Sequence, residues 1–111
     1  MADTDESLTF LTSLAALASR LAADGIVIES VSYQTQGFGG WQLEAARRRM
    51  RVRVTWDGKD RHLSVAIAEL ATGSKERRWQ LAEEHDFRGR RTDLAQLFGT
   101  LHAAITAHAG V

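Results

Sequence analysis

Catalysis and metal binding need side chains that converge, so the titratable residues are read first. His62, His85, His102 and His108, with the acidic run Glu83, Glu84 and Asp86, are the groups that could serve as acid, base or metal ligand. Glu83-Glu84-His85-Asp86 has the composition of a metal cluster, but consecutive residues on an extended chain point to alternate sides, so the four do not converge. His102 and His108 stand six apart, on different faces of a helix, and so lack the i, i+4 spacing of a ligand pair. The chain has no Cys, no Ser in a nucleophile-elbow setting and no H-E-x-x-H, which removes the parts of nucleophilic and zinc hydrolases and of Cys-ligated centres. No catalytic residue, metal or cofactor is expected. An enzyme is the least favoured class, because it would need a deep pocket holding His62 or His85 beside a carboxylate.

Arginine carries the stronger signal. The chain is neutral overall, yet residues 1–44 hold one Arg against six acids, whereas residues 45–74 hold seven cations against three acids. Arg49, Arg51 and Arg53 alternate with Met50, Val52 and Val54, which sets the three guanidinium groups on one side of a strand, about 7 Å apart. Such a row can be matched by acids on a neighbouring strand, for which Glu44 and Glu76 are available. It can also bind an acidic protein partner or a second copy of the chain, or track the phosphates of single-stranded nucleic acid with Trp41, Tyr33 or Trp79 as stacking surfaces. Neutral composition weighs against nucleic acid, and Arg and Trp are residues that protein interfaces favour. The preferred reading is therefore a non-enzymatic binding domain for a protein partner or homodimer, with Arg49, Arg51, Arg53, His62 and Trp41 as candidate binding residues; single-stranded nucleic acid is the alternative. An Arg-rich, Ala-rich, Lys-poor chain is also what a GC-rich genome produces.

The elements that must position these residues follow from periodicity. Met50 to Ile67 alternates on both sides of Asp57-Gly58-Lys59, the pattern of a β-hairpin. With Gly58-Lys59 as a two-residue loop, Val54 pairs with Leu63, Val52 with Val65 and Met50 with Ile67, giving one apolar face and one face of arginines opposite small residues. Moving the turn by one residue slides the pairing by two and keeps both faces, so the faces are better determined than the register. Phe10, Leu11, Leu14, Leu17 and Leu21 recur at helical spacing, which predicts a helix from Asp5 to Ala23 closed by Gly25. Its fringe of Ala15, Ala16, Ala22 and Ala23 allows close approach to a sheet or to a second copy. A strand follows over Ile26 to Thr35, with a phase change near Glu29-Ser30 that predicts a bulge. Gln36 to Gly40 is a loop, Trp41 to Ala45 a strand, Ala46-Arg47-Arg48 a turn and Ala71 to Ser74 another turn. Lys75 to Ala82 is a fifth strand near an edge, with Arg77, Trp79 and Leu81 on one side. Glu83 to Arg91 is a charged connection, and Thr92-Asp93 caps a second helix with Leu94, Leu97, Phe98, Leu101 and Ile105 on one face, ending at Gly110.

The order α-β-β-β-β-β-α with short strand connections implies an α+β domain: an antiparallel meander of about five strands with both terminal helices on one face. At 111 residues the chain is one domain in length. Its acid-led start is unlike a signal peptide, no apolar run reaches about 18 residues, and the absence of Cys suits a reducing cytoplasm. Phe38-Gly39-Gly40-Trp41 followed by Trp56-Asp57-Gly58-Lys59-Asp60 resembles small uncharacterised bacterial proteins with an F-G-x-W strand start and a W-D-G-[KR]-[DE] hairpin. The likeness spans Gly37 to Val65 and implies no activity, cofactor or catalytic residue.

Overall fold

A computed structural model describes residues 2–33, 40–70, 78–89 and 94–110, and their side chains apart from those of residues 2–8, 94 and 95. The elements are α1 (Ala2–Ala23), β1 (Val27–Tyr33), β2 (Trp41–Arg47), β3 (Met50–Asp57), β4 (His62–Glu69), β5 (Gln80–Asp86) and α2 (Leu94–His108). The five strands form one antiparallel sheet in sequence order. This is the expected α+β meander with a helix at each end. No helix among the described residues is long and apolar enough to cross a membrane.

Local chemistry explains the element ends. At the end of α1, Ile26 N donates to Leu21 O and Gly25 N to Ala22 O, both at 3.0 Å, while Gly25 takes a φ of +76°. That 6→1 and 5→2 pair closes the helix on a left-handed glycine and folds Ile26 back into the core, 1% exposed. The bulge in β1 falls between Ile28 and Ser30, where the phase change predicts it. It lets Ile28, opposite Ala45, and Tyr33, opposite Trp41, share the helix-covered side.

Two expectations are corrected. The β3–β4 loop has four residues, Gly58 to Arg61, so Trp56 pairs with Leu63, Val54 with Val65 and Val52 with Ile67. The longer loop supplies its own bonds: Asp57 Oδ1 accepts from the N–H groups of Lys59 (3.0 Å) and Asp60 (3.2 Å), and Arg61 turns the chain with a φ of +51°. Because the displacement is two residues, both faces remain as the alternation assigned them. The fifth strand covers Gln80–Asp86 and includes Glu83 to Asp86, expected as a connection; residues 75–77 lie outside the described set, as do Gln36 to Gly39, Ala71 to Ser74 and the Thr92-Asp93 cap. A second bulge, between Val65 and Ala66 on β4, inserts Ala82 into β5 and breaks the alternation that would have marked the strand.

The core lies between the sheet and the two helices. Leu21, Ile26, Leu43, Val52, Val54, Leu63, Val65, Leu101 and Ile105 are each below 2% exposed, and full burial of such a side chain is worth about 1.5–3 kcal/mol. Phe10 joins the layers at one end, stacking on Tyr33 at 4.5 Å and meeting Trp41 at 5.6 Å and Phe98 at 5.8 Å. At the other end Arg47, on the helix side of β2, donates from Nε to Asp24 O (3.3 Å) and from Nη1 to Gly110 O (3.1 Å). One guanidinium thus bonds carbonyls at the C-terminal ends of both helices, where the helix dipoles favour a cation.

Candidate binding face of the sheet

Register fixes what shares the face opposite the helices. Ser30, Glu44, Arg53, Ala66 and Leu81 lie in one row across the strands, and Ser32, Gln42, Thr55, Ser64 and Glu84 in the next. No helix among the described residues covers this side.

Both strand arginines on this face meet carboxylates of the same chain. Arg53 donates from Nε (3.0 Å) and Nη2 (2.9 Å) to Glu44 Oε1 on β2, and its guanidinium lies 4.0 Å from the centroid of the Trp79 ring. Arg51 Nε lies 2.8 Å from Glu29 Oε1, but its N–H is not aimed at that oxygen, so the contact is an ion pair without a hydrogen bond there. Arg51 Nη1 donates instead to the backbone oxygens of Arg48 (2.8 Å) and Met50 (3.0 Å). The Arg51 side chain is only 12% exposed and that of Arg53 32%. Glu29 owes its role to the bulge in β1, and Glu44 to its place directly opposite Arg53. Glu44 is the neighbouring-strand acid anticipated from sequence; Glu76 lies outside the described residues.

The other candidates are dispersed. Arg49 is exposed in the two-residue β2–β3 turn, outside the strand, beside Arg48 with its φ of +55°. His62 stands at the start of β4 with its Nε2 3.6 Å from Glu84 Oε1. It lines an open cavity of about 230 Å³ with Asp57, Asp60 and Arg88, below the roughly 300–1,000 Å³ of small-molecule sites. Arg88 is held there by Asp86, with Nη2 to Oδ2 at 3.0 Å, and its hydrogen bonds bring the Asp86 carboxyl down to about 2. Trp41 is 5% exposed and sits on the helix-covered face between Phe10 and Phe98. Tyr33 is on that face too, while Trp79 is on the open one. Arg51, Arg53 and His62 therefore share a face, Arg49 lies at its turn end, and Trp41 is on the opposite side of the sheet.

Two groupings were not anticipated. One is the Arg47 clasp, whose residue the sequence pattern assigns to a turn and the fold places at the end of β2. The other is on the helix side of β5, where Glu83 accepts from His85 Nε2 at 3.1 Å and from His108 Nε2 at 2.5 Å. An ionised carboxylate only accepts, so both imidazoles carry their proton on Nε2. Burial raises the Glu83 pKa, but the bonds from His108 and then His85 outweigh it, leaving the carboxyl below its ordinary value. The available signal was positional: His108 closes the apolar stripe of α2 in its last turn, where the helix dipole favours a protonated imidazole, which in turn attracts a carboxylate. Among the described residues no group of three or more His or acidic side chains is arranged to hold a metal ion.

No protein-family model, curated protein or solved structure matches this chain.

Proposed function

We propose that the chain is a non-catalytic binding domain that docks a protein partner on the open sheet face, centred on Arg53 and Trp79. The observation that carries this reading is the Glu44–Arg53–Trp79 stack. A guanidinium ordered by a carboxylate on one strand and covered by an indole is a rigid, nearly neutral anchor, and Leu81 beside it in the same row is 60% exposed. Ordered Arg and Trp with an adjoining apolar side chain are the side chains that anchor protein interfaces, where groups already fixed lose little entropy on docking. Phosphate recognition asks for cations whose charge is available, since affinity for nucleic acid arises largely from counterion release. Arg51 and Arg53 each have a carboxylate within 2.9 Å, which lowers that contribution.

The test is comparative capture from a native lysate on immobilised wild type, Trp79→Ala and Leu81→Arg. A protein retained by wild type and lost from both variants, each still folded by circular dichroism, supports the reading. Identical capture by all three ends it.

A further inference from the structure

The two edges of the sheet differ in chemistry. Both edge strands carry a bulge, but the β5 edge alone carries three acids, Glu83, Glu84 and Asp86, whose charge discourages another strand from pairing there. The β1 edge bears one charged residue, Glu29, which the ion pair with Arg51 neutralises within the same chain. Its apolar residues Val27 and Val31 are 61% and 39% exposed, and beyond the bulge Ser30 to Tyr33 pair regularly with β2, leaving the outer backbone groups without a strand partner among the described residues.

The helix above this edge continues the same surface. At 100° per residue, Leu11 lies on the side of α1 opposite Arg20, and Arg20 is the residue that reaches α2, through His102 at 3.5 Å. The flank bearing Leu11, Ala15, Ala18 and Ala22 therefore faces away from α2, over the β1 edge, and it contains no charge. Leu11 is 56% exposed.

We infer that a second copy of this chain occupies the β1 edge, pairing β1 with β1 antiparallel about a two-fold axis and laying the Leu11 flanks of the two α1 helices together above the seam. Antiparallel pairing of a strand with itself preserves which side each residue points to, so one residue must face its own counterpart. Val31 fills that position: it is apolar, lies on the helix side and sits inside the regular segment. Closure follows from the contrast of edges, because each copy offers one strand-accepting edge and one acidic edge, so the assembly stops at two rather than growing into a filament. The product is a ten-stranded sheet whose two open faces adjoin on one side. Centred on Val31, the seam within β1 takes in the five residues 29–33, about 17 Å long and two layers of about 10 Å deep, and presents on the order of 350 Å² per copy. That is below the roughly 800 Å² of a standard interface and fits a micromolar dimer.

Sedimentation velocity from about 1 to 500 µM brackets that range. Wild type shifts from monomer to dimer, Val31→Lys weakens the association at least about 30-fold by setting two ammonium groups face to face, and Leu81→Arg leaves it unchanged. Because the chain has no Cys, Val31→Cys supplies a second reading: mild oxidation traps a disulfide-linked dimer, and Ser32→Cys is trapped more slowly. A wild type that stays monomeric at the highest concentration overturns the inference. So does a dimer that persists in Val31→Lys, one lost in Leu81→Arg instead, or the absence of cross-linking in Val31→Cys.

Discussion

The same residue type does different work on the two faces of the sheet. On the helix-covered side Arg47 is surrounded by backbone carbonyls, donating to Asp24 O and Gly110 O, and it joins elements far apart in sequence. On the open side Arg53 meets Glu44 on the adjoining strand β2 and Arg51 meets Glu29 two strands away on β1, so both stay within the sheet. Carbonyls at helix ends are fixed by the fold, so a cation shared between two of them ties together elements 23 and 63 positions from it in sequence. On the open face Glu29 and Arg53 keep about a third of their side-chain surface in water, at 38% and 32%, while Arg51 and Glu44 keep 12% and 14%, so each pair has one partly screened member and sets the character of the surface. The difference teaches that a row of arginines in a sequence does not define a basic surface until its acceptors are known.

Substitutions sharpen this contrast, and the largest effect belongs to the covered face. Leu63 is fully buried between sheet and helices; Leu63→Ala should cost about 3 kcal/mol in urea unfolding, the usual figure for a core leucine cavity. Arg47→Ala should cost about 2 kcal/mol, since it removes charge-assisted hydrogen bonds to carbonyls at the ends of both helices, and amide exchange should quicken at Ala109, which bonds Ile105 O. Arg47→Lys, with one donor group instead of a fork, should recover only part of it. On the open face, a double-mutant cycle of Glu44→Gln and Arg53→Gln should return a coupling of about 1 kcal/mol or less, discounted for exposure. A coupling as large as the Arg47 effect would break the distinction between the faces.

Acid gives a smaller effect whose sign is fixed. Asp86, brought to about 2, and Glu83, brought below its ordinary 4.5, both have folded values under their unfolded ones. Their contribution is complete above the ordinary carboxylate range and is lost as pH falls through the folded values. Carboxyl-resolved NMR titration should show Glu83 titrating below 4.5, and His108→Gln should move it back toward that value.

Much of this architecture is legible in the sequence because it rests on local rules. Alternation fixed which residues of Met50 to Ile67 face the helices, Gly25 marked the end of α1, and the phase change at Glu29-Ser30 located the bulge. The register of the hairpin was not legible, because Asp57 can cap either a two-residue or a four-residue loop and the faces are the same in both. The fifth strand was obscured by its extra residue and by Glu83 to Asp86, whose charges read as a connection until β4 supplies partners for them. Arg47 and the His108–Glu83 bond depend on contacts across the fold, between residues 23 and 63 positions apart in the first case and 25 in the second, which no local pattern encodes. Trp41 shows the same limit in reverse: its side of the sheet follows from alternation, but only the packing of Phe10 and Phe98 places it inside.

Glu29 and Glu44 neutralise the open-face arginines Arg51 and Arg53 within the chain. Fluorescence anisotropy of labelled single-stranded and duplex oligonucleotides, titrated with the protein at low salt, tests that most directly. Flat traces into the tens of micromolar are expected for wild type, with binding emerging in Glu29→Gln/Glu44→Gln, where Arg51 and Arg53 are released. Micromolar binding by wild type, with a log–log salt slope of about −2 to −3 as three phosphate contacts give, would contradict it and make the face a nucleic-acid platform.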